Sequence, residues 1–242
     1  DFLKSKSPTL IGIDISSSSI KMVELSRVGK DAQLYRMERY VIEAIPAESV
    51  TEGNIVNMEA VSECLQRAWR RMGTRLKNVA LALPLTDVIT KKVNVPAGQR
   101  EEDLVFQVEN EASQYIPFSL DEVDLDFQVV GPNVENAEEV EVLIAASRKE
   151  KVEDRVAVAL SAGLKAMVMD IEPYAAQSAF ELALNHLPEE GKNQIIALVD
   201  IGATTIKMNV FHNGESVYSR DQPFGGNQLT QEISNQFNLP LE

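Results

Sequence analysis

The stretch IGIDISSSSIKMVEL, Ile11–Leu25, decides how this chain is read. An apolar run reaches Asp14, passes through four consecutive serines, Ser16–Ser19, and resumes as a second apolar run that carries Lys21. The β-branched residues on both sides have the composition of strands, so the serines form a polar turn between two strands. A single copy of such a turn reads as an ordinary hairpin whose Asp and Ser side chains satisfy their own backbone.

The same arrangement returns 186 residues further on, at position 200 instead of 14. Ile13-Asp14-Ile15-Ser16-Ser17-Ser18-Ser19-Ile20-Lys21-Met22 aligns without a gap on Val199-Asp200-Ile201-Gly202-Ala203-Thr204-Thr205-Ile206-Lys207-Met208. The Asp, both inner Ile, the Lys and the Met are identical, and the turn residues are small or hydroxylated in both copies. An internal repeat speaks to architecture: two halves, each with one Asp-bearing hairpin. A tight turn of small residues exposes successive backbone N–H groups, and Ser or Thr hydroxyls add donors, which together suit phosphate oxygens. Lys21 on the returning strand supplies positive charge, and Asp14 and Asp200 at the strand ends can orient magnesium-bound water. Two hairpins facing one cleft would hold a polyphosphate from both sides. The pair is therefore expected to cradle phosphate through Ser16, Ser17, Ser18, Ser19, Gly202, Ala203, Thr204 and Thr205.

Composition bounds the alternatives. With 242 residues, 44% hydrophobic and 25% charged, the chain is of ordinary globular composition. No apolar run approaches the roughly 20 residues of a bilayer span, and the N-terminal DFLKSKS reads as a disordered end. A lone cysteine, Cys64 in VSECLQRAW, fits a reducing compartment and a buried, inert thiol. His186 and His212 stand far apart with no metal-ligand spacing. The formal charge is −14, and residues 101–155 hold 16 Asp/Glu against 4 Lys/Arg. Such acidity opposes nucleic-acid binding; it serves either solubility or the docking of a basic partner segment.

Around the repeat, the periodicities predict alternating strands and helices. LYRMERYVIEAIP extends the first sheet, a helix capped by Asn57 runs to Gly73, and VALALP is a buried strand. VITKKVNVP, a helix over 100–115, VDLDFQVV, EVEVLIAAS and a helix closed by Gly163 follow. KAMVMDIEP is expected as a strand and YAAQSAFELALNHL as a helix. Three strands then join through an HNGE turn, and a helix begins at GNQLTQEISNQF.

With the duplicated turn in place, the sequence resembles the actin-like ATPase superfamily, an α/β, ribonuclease H-like fold in which each half contributes a phosphate hairpin. DIEPYAA, Asp170–Ala176, resembles that superfamily's connecting segment and implies that Glu172 sits near the attacking water; Asp200 is the second catalytic candidate. FGGNQLT, Phe224–Thr230, resembles the Gly-Gly turn beside the ribose, where Gly225 and Gly226 would let the nucleotide approach closely. The segment after VALALP resembles the inserted α+β subdomain of FtsA-like proteins. QYIPFSLDEVDLDFQVV, LIAASRKEKVEDRV and the opening GIDISSSSIKMVELS are similar to the PilM family of type IV pilus assembly proteins. The implied organisation is a first actin-like subdomain over 1–78, an inserted subdomain over 79–164, completion of the first subdomain over 165–190, and the start of a second half over 191–242. Actin-like chains continue beyond the Gly-Gly turn, so the resemblance implies that the C-terminal part is missing and the adenine side incomplete.

The resemblance also implies ATP and Mg as ligands, with Asp14 and Asp200 holding the metal through water. Ala203 stands where actins carry a further acidic residue, so hydrolysis is expected to be slow or absent. The implied partner is the cytoplasmic tail of the inner-membrane protein PilN, lying in a groove between first subdomain and insertion. Links to the PilN–PilO complex and the pilus motor ATPases follow from it. That places the chain in the cytoplasm at the inner face of the bacterial inner membrane, with membrane association indirect. Two alternatives stay open: an FtsA-like division protein, and an actin-fold sugar kinase with Asp87 or Asp170 as base.

Overall fold

The computed structural model describes residues 9–29, 34–184 and 187–241. The N-terminal DFLKSKS and His186 lie outside them. Two compact units emerge, one formed by 1–82 with 155–242 and the other by Leu83–Asp154.

The first unit is organised by the opening hairpin. β1 (Ile11–Ile15) and β2 (Ser19–Arg27) pair antiparallel, and β3 (Tyr35–Ala44) pairs with β2 through a bulge at Glu24/Leu25. Two short strands, β4 (Val50–Thr51) and β5 (Asn54–Ile55), make a separate ribbon. α1 (Met58–Met72) begins where the Asn57 side chain accepts from the Ala60 N–H at 3.0 Å and ends at Gly73 in a left-handed conformation, φ 66°. Its buried residues, Val61, Cys64, Leu65, Ala68 and Met72, follow helical spacing onto one face. β6 (Asn78–Leu83) lies parallel to β1, and alternation along both strands buries Ile11, Ile13, Ile15, Val79 and Leu81 in the same core.

The second unit is a three-stranded sheet with one helix. β7 (Val88–Pro96), α2 (Glu101–Ala112), β8 (Val123–Pro132) and β9 (Glu139–Arg148) give strand order β7-β9-β8, antiparallel throughout. Val95, Val142, Ile144 and Ala146 of the sheet enclose Val108 and Ala112 of the helix. Glu101, Glu102 and Asp103 stand in the first turn of α2, where the helix dipole favours them.

The chain re-enters the first unit within α3 (Lys149–Ser161), whose Val158 and Ala159 are buried in the first core. β10 (Lys165–Ile171) completes the five-stranded order β10-β6-β1-β2-β3. The inserted segment expected over 79–164 is therefore shorter as a compact unit: β6 hydrogen-bonds to β1, and the end of α3 belongs to the first core. α4 (Glu172–Leu184) follows, then β11 (Ile195–Ile201), β12 (Ile206–His212) and β13 (Glu215–Gln222) in a meander, and α5 (Gly226–Phe237). Glu172 and Pro173 are the first residues of α4 and not the end of a strand, since proline is well tolerated in a first helical turn. β11, β12 and β13 form a sheet separate from the five-stranded one, within the same compact unit.

Candidate functional site

The repeat holds at the level of backbone geometry. In the first hairpin Asp14 stands opposite Lys21 and Ile15 opposite Ile20, and the turn closes with Ser16 N–H donating to Ser19 C=O at 3.0 Å. In the second, Asp200 stands opposite Lys207 and Ile201 opposite Ile206, and Gly202 N–H donates to Thr205 C=O at 3.0 Å. Every one of these positions keeps the same offset. A Cβ on Gly202 would lie 2.9 Å from Thr205 O, so this second turn would have to shift slightly to take a side chain there, although the first closes at the same distance around Ser16. The two tips meet: Ser17 Oγ and Thr204 Oγ1 are 2.9 Å apart.

Gly225 explains how the second turn is braced. A Cβ there would stand 2.6 Å from the backbone of Gly202 and Ala203. With none present, Gly226 N–H donates to Gly202 C=O and Asn227 N–H to Ala203 C=O, both at 2.9 Å. The close approach that Gly225 permits is thus made by the chain itself, where the sequence suggested a nucleotide. Gln228 accepts from Gly225 N–H at 2.8 Å and fixes the start of α5.

Between the strand ends and α4 lies a cleft of about 230 Å³. Asp14 and Ile15 line one side, Asp200, Lys207, Asn209 and Asp221 another, and Glu172 and Pro173 the start of α4. Asp200, Lys207 and Asp221 are direct cross-strand neighbours and form one row across the meander. The equivalent lysines behave differently. Lys21 reaches its cross-strand partner Asp14 at 2.6 Å, both nearly half exposed. Lys207 forms its ion pair with Glu172 at the start of α4, with 30% and 16% of the side chains exposed. Burial works against the Lys207 ammonium, but Glu172, by charge and hydrogen bond, and then Asp14 and Asp221 outweigh it and hold Lys207 above the usual lysine range. Burial pushes the Asp221 carboxyl above the usual aspartate range, with Lys207 pulling it down.

Asp14, Asp200 and Glu172, singled out from sequence, thus share one cleft. Lys207, Asn209 and Asp221 were missed as site residues. The identity of Lys207 with Lys21 in the repeat was the available signal for the first; nothing local to Asn209 or Asp221 gave one.

The family model described as type IV pilus assembly protein PilM matches residues 12–242. The chain belongs to the PilM family. Among solved structures it is similar to a PilM–PilN type IV pilus biogenesis complex, with 27% identity and a TM-score of 0.78 over 96% of this chain and 67% of that one. The ethanolamine utilization protein EutJ of Carboxydothermus hydrogenoformans, at 18% identity and TM-score 0.53 over 97% of this chain and 59% of that one, shares the fold. Among curated proteins, the cell division protein FtsA of Bacillus subtilis (strain 168) is 22% identical over 93% of this chain and 53% of FtsA. The chain thus spans about half the length of that relative. Its fold is actin-like, and the family match favours the pilus reading over the FtsA and sugar-kinase alternatives. Among the described residues no helix is long and apolar enough to cross a membrane.

The donor set fits the group that this fold family implies. Hydroxyls at Ser17 and Thr204 and the ammonium of Lys21 suit phosphate oxygens, while Asp14 and Asp200 offer carboxylates to a hydrated cation.

Proposed function

We propose that this chain is the ATP-binding part of an actin-like scaffold in type IV pilus assembly, acting at the cytoplasmic face of the inner membrane. The observation that supports it most directly is the meeting of the two hairpin tips, Ser17 against Thr204, beside a cleft lined by Asp14 and Asp200. The phosphates would lie against the turns 16–19 and 202–205, with Lys21 as their counter-charge, and Asp14 and Asp200 would hold Mg²⁺ through water. Bound with the nucleotide, Mg²⁺ neutralises phosphate charge. Gly226, at the start of α5, would face the ribose side. Since Ala203 leaves the second turn without a carboxylate, the site binds more than it turns over.

The partner we propose is the cytoplasmic tail of PilN. A solved relative is a complex of PilM with PilN, and the acidic segment 101–155 complements the basic residues common on cytoplasmic flanks of membrane helices. PilO and the motor ATPases would be reached through that link. Calorimetric titration of the intact protein with Mg-ATP tests the nucleotide half. Lys21→Ala should weaken binding by about tenfold or more, as expected for loss of a charged hydrogen bond. Unchanged affinity would remove the first hairpin from the site, and turnover of about 1 s⁻¹ would make the protein an ordinary ATPase. Titration with a PilN tail peptide, with and without Mg-ATP, tests the partner half; absence of binding in both would reject it.

A further inference from the structure

We propose that Lys207 is a resident counter-cation of the cleft, which neutralises its carboxylates, Glu172 first among them, in the absence of a divalent ion. The proposal rests on the nucleotide-binding reading above and goes beyond it.

Three observations carry it. The first is the break in the repeat. Lys21 and Lys207 occupy equivalent register positions, yet only Lys21 reaches the aspartate opposite it. Lys207 instead crosses to Glu172 Oε2 on α4. A phosphate-contacting lysine needs an accessible ammonium; Lys207 is committed to an internal partner in a more buried setting than Lys21.

The second is the charge around it. Asp200 and Asp221 flank Lys207 in the same cross-strand row, and the fields of Asp14 and Asp221 reach its ammonium. Carboxylates therefore outnumber ammonium groups in the cleft. A polyphosphate entering it meets like-charge repulsion unless a cation stands among those acids, and in this part-buried setting one ammonium counts for more than a surface lysine.

The third is the state of Glu172. A general base must direct a lone pair at the water whose proton it takes. Here Lys207 holds Oε2, which leaves only Oε1 to face a water, and α4 fixes the residue at its first helical position. The resemblance that placed Glu172 near the water thus meets a residue engaged as an ion-pair partner.

The experiment compares ATP affinity in excess Mg²⁺ and in EDTA for the intact wild-type protein, Lys207→Gln and Lys207→Arg, with thermal unfolding of each as the folding control. The readout is the ratio of Kd in EDTA to Kd in Mg²⁺. With the resident cation removed, that ratio should rise by about tenfold, within the usual range of site–site coupling, and Lys207→Arg should keep the wild-type ratio. Equal weakening of Lys207→Gln in both media would make Lys207 a simple phosphate contact and overturn the proposal, as would an unchanged ratio. Should Lys207→Gln not fold, Glu172→Gln serves in its place. It releases the ammonium toward the phosphates, so the ratio should fall below wild type, and a ratio equal to wild type overturns the proposal. Wild-type protein that binds ATP in neither medium overturns the nucleotide reading itself, and this proposal with it; failure of the ratio test alone leaves that reading standing.

Discussion

Asp221 is a carboxyl set where burial disfavours its charged form, a common mark of a residue kept for something other than stability. Its folded-state affinity for the proton is raised, so its contribution to stability is fully present below the ordinary aspartate range and lost as pH rises through the raised value. Asp221→Asn should therefore raise the melting temperature at pH 7, with the gain vanishing as the pH falls below about 4. Melting curves of both proteins across that window check it, and equal curves at pH 7 would mean that Lys207 fully offsets the burial. The sequence could not have pointed to this residue. The Asn213-Gly214 turn, with both residues at positive φ, sets a register in which Arg220 would face Lys207. A bulge between Val210 and Phe211 shifts the pairing by one and brings Asp221 opposite instead. One extra residue in a strand decides which charge enters the cleft, and no local pattern announces it.

At the scale of elements, the hairpins were legible because a repeat carries its own control: Asp14 opposite Lys21 and Asp200 opposite Lys207 are two copies of one register. The cap at Asn57 and the stop at Gly73 were equally plain, since both are backbone chemistry written in single residues. What the sequence did not give was the bracing of the second turn, a contact between segments that no periodicity encodes. Gly225 has extended backbone, so its need for glycine comes from contact alone. Gly225→Ala should push the start of α5 off the turn 202–204 and break the hydrogen bonds of Gly226 and Asn227. The expected cost is about 1–3 kcal/mol, as for other overpacked sites, read by denaturant unfolding, and ATP affinity should fall with it. An alanine variant as stable as wild type would show that the two segments can part without loss. In the first unit Glu43 offers an independent check. Arg71 and Arg67, mainly through hydrogen bonds, hold its carboxyl below the usual glutamate range. That contribution is present above the ordinary glutamate range and disappears as the pH falls through the lowered value. Glu43→Gln should cost about 0.5–1 kcal/mol at pH 7 and nothing in acid, provided the same melts are followed below pH 3.

Across the whole molecule, the meander β11-β12-β13 has two contrasting faces. One turns Asp200, Lys207 and Asp221 to the cleft, and farther along it Phe211 is buried and stacks on Phe180 of α4 at 4.8 Å. The other presents Ile195, Val199 and Ile201 of β11 at 76%, 50% and 69% exposure, with Tyr218 two strands away on the same face. Strand alternation makes this unavoidable: every residue placed for the cleft commits its neighbours to the opposite side. Exposed apolar residues lined along one face of a sheet mark an association surface. The 242-residue chain by itself is therefore expected to bind a hydrophobic dye and to associate with rising concentration, and Ile195→Thr with Ile201→Thr should reduce both. Because these positions face away from the cleft, the double variant should keep wild-type ATP affinity, which separates loss of the apolar face from loss of the fold. Sedimentation of the two proteins across a concentration series decides it: identical association would move the apolar contact to α5, where Leu229, Ile233 and Phe237 are also exposed.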